Sequence, residues 1–212
     1  MHKERNITTL PLDGGLLCLD FVNTVQTRMK PVFHEYLNDY YTFIEWCVKV
    51  DIITPKEAAA YNATGVRLPT KVKETHSLII TAREMLYEFF SAKAAGRPVP
   101  DDVLSQFNST LSASLAHIGF ENTPAGLQQT WFSEPDELIA PLWKVMRSAY
   151  EILMSPEIKY VKECSACGWL FLDKSKSHNR RWCNPLECGS IDKATRYYYR
   201  EKAKRRKADK SD

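Results

Sequence analysis

The chain has 212 residues, 44% of them hydrophobic, and a formal net charge of +3, enough for one domain with a real core plus a smaller appendage. That small net charge hides an asymmetry: residues 161–212 hold 14 Lys/Arg against 7 Asp/Glu, whereas residues 1–160 hold 15 against 19. No apolar run approaches the roughly 18 residues a membrane span needs, and the opening Met1–Asn6 is charged, so neither a membrane protein nor a secretion signal is expected.

The first element is an apolar segment after Gly14-Gly15 with three embedded polar residues, Asp20, Asn23 and Thr24. At i, i+3 and i+4 they would share one helix face, where they could satisfy buried backbone groups or line a ligand pocket. Asn38 reads as the cap of a helix burying Tyr40, Phe43, Ile44, Cys47 and Val48. Thr54-Pro55-Lys56-Glu57 carries the capping-box signature of a second helix start.

From Thr70 a long helix is predicted, with Leu78, Ile79, Ala82, Leu86, Phe89 and Phe90 inward and Gly96 at its end. A further helix covers 101–113 with Leu104, Phe107 and Leu111 inside. Leu115–Phe120 and Leu127–Phe132 then read as a short hairpin. The periodicity of Leu138, Leu142, Val145, Met146, Ala149, Ile152 and Leu153 gives a last packing helix, with Pro141 shortening its first turn and Ser155-Pro156 ending it. Nothing in residues 1–155 forms a catalytic constellation: there is no phosphate loop, no His-Glu-x-x-His and no nucleophile elbow, so no enzymatic activity is expected. Trp46, Trp131, Trp143 and Tyr40-Tyr41 read as packing residues.

Cys164, Cys167, Cys183 and Cys188 are spaced Cys-x2-Cys-x15-Cys-x4-Cys. Two tight pairs separated by a loop let one short segment surround a tetrahedral Zn2+, and with all four positions protein thiols the zinc is structural rather than catalytic. Cys18 and Cys47 are isolated in apolar surroundings, a usage that fits a reducing compartment, expected to be the cytoplasm. The first pair sits between Ile158–Cys164 and Gly168–Asp173, at the tip of a hairpin, and the second precedes a helix over about 190–207: a treble-clef-like arrangement.

On that helix, at about 100° per residue, Lys193, Arg196, Arg200, Lys204 and Lys207 fall within an arc of about 80°. Ile191, Ala194 and Tyr198 lie nearly opposite, which predicts that they pack on the zinc hairpin. With Arg180 and Arg181 in the inter-pair loop, the stripe suits a nucleic-acid phosphate ridge.

Phe171-Leu-Asp-Lys-Ser175, Arg180-Arg-Trp-Cys183 and Cys188-Gly189 together resemble the CGNR zinc finger of bacterial proteins regarded as transcriptional regulators. Leu17-Cys-Leu-Asp-Phe-Val-Asn-Thr24 is similar to the opening motif of the ABATE domain that accompanies it. The resemblance implies zinc at the four cysteines and a DNA-binding role for the finger. The chain departs from the pattern at Ser190-Ile191, where the family name has Asn-Arg. The expected architecture is mainly α with small β-hairpins: a helical domain over 1–156, which senses a small-molecule effector or forms a homodimer, and a zinc finger with a basic helix over 157–212. The expected function is DNA-binding transcription regulation; the alternative is a zinc-stabilised protein- or RNA-interaction module.

Overall fold

The computed structural model describes residues 6–29 and 34–208. The architecture is mainly helical with two small antiparallel hairpins, in the order α1 (Leu17–Val22), α2 (Tyr40–Lys49), α3 (Pro55–Arg67), α4 (Pro69–Ala94), α5 (Asp101–Leu115), β1 (Ile118–Thr123), β2 (Gly126–Trp131), α6 (Ala140–Met154), β3 (Val161–Glu163), β4 (Leu170–Leu172) and α7 (Cys188–Ala208). None of the described helices is long and apolar enough to cross a membrane.

Local chemistry sets most boundaries. The capping box at Thr54 is present, with Glu57 N–H bonded to the threonine hydroxyl and the Glu57 carboxylate returning to Thr54 N–H. The cap of α2 is Asp39, one residue beyond the predicted Asn38, because Asp39 and Thr42 close a reciprocal capping box. Helix α6 begins at Ala140 with Pro141 in its first turn, where a missing N–H costs nothing.

Two inward positions differ from the periodicity. Leu78 is 59% exposed and Leu104 39% exposed, their places taken by Val72 and Arg83 on α4 and by Val103 on α5. The β1–β2 hairpin is tighter than expected, with Thr123 facing Gly126 across the turn, and Leu115 belongs to α5. Residues 158–160, expected in a strand, form part of a 3-10 turn, leaving β3 only three residues.

Both ends of the chain meet in one hydrophobic core. Cys18, Leu19, Phe21 and Val22 of α1, the inner faces of α2, α4 and α6, and Leu170, Phe171 and Leu172 of β4 belong to a single buried cluster that reaches Cys164 and Cys183. The three residues of β4 are all buried. So short a hairpin is not stable alone, and α1 and α4 supply the surface it needs.

Candidate metal centre and basic helix

The first cysteine pair lies in the turn between β3 and β4. Cys164 N–H donates to Trp169 O at 2.8 Å and Gly168 N–H returns to Cys164 O at 2.8 Å, closing a knuckle that turns both thiols to one side. Gly168 holds φ +76°, and a Cβ there would stand 2.7 Å from Cβ of Arg28, so both the turn and the approach of the helical body require glycine. The second pair sits on the turn into α7. Asn184 Oδ1 accepts from Leu186 N–H and Glu187 N–H, and Cys188 is the first residue of the helix. Ser165 N–H to Arg181 O, at 3.1 Å, ties the two turns together.

The four sulfurs converge within 4.8 Å of one another, with Cys167–Cys183 and Cys183–Cys188 both at 3.7 Å. A tetrahedral zinc with Zn–S bonds of about 2.3 Å sets its sulfurs about 3.8 Å apart, so the donor set fits one structural zinc with no open coordination position.

Behind the metal ligands, Asp173 organises the inter-pair loop. Its carboxylate is fully buried and accepts from Lys162 Nζ (2.9 Å), Arg180 N–H (2.8 Å), and the N–H and hydroxyl of Ser175 (3.1 and 2.7 Å). Burial alone would raise its pKa, but the Lys162 ammonium and these donors hold it well below the usual carboxylate range. His178 stacks on Tyr160 with centroids 3.6 Å apart, and its Nδ1 lies 2.8 Å from Asp173 O. Asp173 was part of the family motif, yet its role as a hub depends on partners brought from β3 and the loop, which spacing does not disclose.

Residues 15–156 match the model of the ABATE family, whose description reads "Putative stress-induced transcription regulator", and residues 160–201 match the CGNR zinc finger. The chain belongs to the ABATE family. Its metal centre is that of the CGNR finger that follows the ABATE segment. No curated protein matches the chain.

The ABATE motif residues do not form the shared face that their spacing suggested. Helix α1 ends at Val22, so Asn23 and Thr24 lie past its last turn and the three side chains diverge. Asp20 turns back to accept from Gly14 N–H at 2.8 Å, and burial pushes its pKa up to about 6. A Cβ on Gly14 would lie 2.7 Å from Asp20 N, which is why glycine precedes the motif. Asn23 reaches the CGNR hairpin, donating to Leu170 O at 2.8 Å and accepting from Leu170 N–H at 3.0 Å. Thr24 donates to Phe21 O and accepts from the buried Arg83, whose guanidinium also grips Glu35 through two bonds of 2.7 Å.

Further bonds from the ABATE segment hold the knuckle itself. Arg28 N–H and the Thr27 hydroxyl both donate to Cys167 O, at 2.8 and 3.0 Å, and Trp169 Nε1 donates to Val25 O at 2.8 Å. These contacts are invisible to spacing arguments because they join residues about 140 positions apart.

The predicted basic residues divide into two groups. Arg180 is half-buried: its guanidinium donates to Cys183 O and lies 5.3 Å from the Phe171 ring centroid, bracing the metal loop. Arg181, Lys193, Arg196 and Arg200 are exposed, with Arg196 bonded to Asp192 at 3.0 Å. Lys204 and Lys207 fall on α7, and their side chains lie outside the described residues.

The expected packing of Ile191, Ala194 and Tyr198 on the zinc hairpin does not occur. All three are exposed, Ile191 at 61% and Tyr198 at 59%. The apolar residues of β4 are already covered by the ABATE helices, so the hairpin has no vacant face to offer α7.

Proposed function

We propose that this protein is a transcription regulator that binds DNA through α7, with the zinc centre fixing the root of that helix and the ABATE segment governing how it is presented. The reading assigns residues 1–156 to a regulatory domain, which senses an effector or forms a dimer, and 157–212 to a DNA-binding one, at work in the cytoplasm.

One observation carries it: α7 starts at the metal ligand Cys188 and its described side chains from Lys193 onward are all exposed, while one face aligns Lys193, Arg196 and Arg200. An unpacked helix is marginal alone, so such a helix gains most by laying its cations along a phosphate backbone, releasing counterions. Tyr197 lies beside the stripe, with the Arg200 guanidinium 5.4 Å from its ring centroid, and extends the surface available to a groove. At the family's Asn-Arg positions this chain has Ser190 and Ile191, so phosphate contact here falls to the stripe and Arg181.

The test is binding of the zinc-loaded chain to duplex DNA across a salt series. Log K should fall with log[salt] with a slope of about −0.9 per phosphate contacted, and Arg196→Ala with Arg200→Ala should weaken binding and flatten the slope by about 2. Unchanged binding by the double variant would overturn α7 as the contact surface. Preference for single-stranded RNA over duplex DNA would favour the alternative reading, for which the exposed Tyr197, Tyr198 and Tyr199 are suited as stacking groups.

A further inference from the structure

A cleft of about 300 Å3 opens between the ABATE segment and the zinc finger. The N-terminal part of the chain contributes Asp13, Gln26, Thr27 and Tyr36 to its lining; the finger contributes Trp169, Cys167, Cys183, Cys188 and Glu187 with the first turn of α7. We propose that this cleft binds a small organic cation, an ammonium group on a compact aromatic or alkyl body.

The charge of the lining selects the ligand. Asp13 and Glu187 bring two carboxylates to the lining from separate segments of the chain, and no lysine, arginine or histidine is among the described lining residues. Arg180 is close enough for its charge to favour the Asp13 carboxylate, but its guanidinium donates to Cys183 O and lies against the Phe171 ring, so it does not bond to that carboxylate. Among the described residues Asp13 receives one long bond, 3.3 Å from Asn184 Nδ2, which leaves its carboxylate with accepting capacity. With zinc bound, the four thiolates outweigh the charge of the metal, so the cysteine wall repels anions as well.

Shape and aromatic content fix the rest. Tyr36 and Trp169 offer ring surfaces for an apolar body or for cation–π contact, and Gln26 and Thr27 add oxygen acceptors for ammonium hydrogens. The volume stands at the small end of ligand pockets, suited to a molecule of about a dozen heavy atoms rather than a nucleotide. An occupant would touch Tyr36 on one side and Glu187 and Ile191 on the other, bridging the ABATE segment to the root of α7.

The site stands independently of the nucleic-acid reading, and its test contains no DNA. Titration calorimetry of the zinc-loaded full chain would use tyramine as the cationic probe and 4-hydroxyphenylacetate as its anionic counterpart on the same aryl body. Saturable binding of tyramine and none of the anion is expected, with Asp13→Asn weakening tyramine by about tenfold or more, the usual worth of a hydrogen bond to a charged group. Glu187→Gln should weaken it in the same direction and serves if Asp13→Asn does not fold. Glu121→Gln, on the distant β1–β2 hairpin, should bind as the parent does. No saturable tyramine binding, equal binding of the anion, or full affinity in the folded Asp13 and Glu187 variants would each overturn the proposal.

Discussion

Replacing Asn23 with alanine tests whether the ABATE motif acts as a structural clamp. In the β3–β4 ladder, the N–H and C=O of Leu170 point away from β3, to the outer edge of the hairpin. There the Asn23 amide stands in for a third strand, donating to Leu170 O and accepting from Leu170 N–H. Gly14 O does the same for Leu172 N–H at 2.9 Å. Asn23 is 1% exposed and Leu170 is fully buried, so Asn23→Ala strands one donor and one acceptor away from water. At about 1–3 kcal/mol per stranded group the loss is about 2–6 kcal/mol, with the lower end reached if a water enters the space left by the amide. That is a large share of the roughly 5–15 kcal/mol that holds a typical domain together. Urea denaturation followed by tryptophan fluorescence reads it directly, since Trp169 is bonded to Val25 O in the same interface. Asn23→Asp separates hydrogen bonding from packing: it keeps the volume but sets an oxygen against Leu170 O, and should cost at least as much as alanine. A loss below about 1 kcal/mol for both variants would refute the clamp and return Asn23 to the candidate ligand residues.

Two further perturbations address the metal and the buried acid. Cys183→Ser should abolish the binding of about one zinc per chain expected of a four-thiolate site. Because β4 is held by Asn23 and Gly14 rather than by the metal, hydrogen exchange should find Leu170 and Leu172 amides still protected while residues 188–200 lose protection; joint loss, or no loss, would refute this division. Asp20, raised by burial from 3.8 to about 6, binds its proton more tightly folded than unfolded, so its contribution to stability is present at low pH and is lost as pH rises through about 4 to 6. Asp20→Asn keeps an acceptor for Gly14 N–H and removes the titration. Relative to that variant the parent should lose up to about 3 kcal/mol between pH 4 and pH 7, and a constant difference in urea midpoints over that range would exclude a raised Asp20.

The elements whose cause is local were readable from the sequence. Thr54-x-x-Glu57 marks its helix because the capping box is made from residues three apart, and the four cysteines mark zinc because the metal dictates their spacing. The helical periods located α2, α4 and α6 because each buries one stripe. Readings failed where a partner distant in sequence decides the outcome. Arg83 is as buried as any core residue because Glu35 and Thr24 satisfy it, and no hydrophobic pattern signals that. Asp20, Asn23 and Thr24 look like one helix face, but the helix stops at Val22 and leaves each with a different partner. Tyr198 and Ile191 look like a packing face, but the surface meant for them was already covered from the other end of the chain.

That last failure bears on how the finger is built. A treble-clef-like module of about 45 residues cannot bury much core of its own, and metal binding usually decides whether such a module folds. In this protein the hairpin half draws its core and its edge hydrogen bonds from the ABATE segment, through Asn23, Val25, Thr27 and Arg28. The stabilising work left to the zinc is concentrated on the second half, where Cys183 and Cys188 tie the root of α7 to a knuckle already fixed in place. On the proposed reading, the direction of α7 is biased at the contact of an occupant with the cleft that Asp13, Tyr36 and Glu187 line beside that root. A change in that contact as small as one side-chain displacement is carried along a helix of 21 residues, about 30 Å, and so moves its far end by several times the original shift.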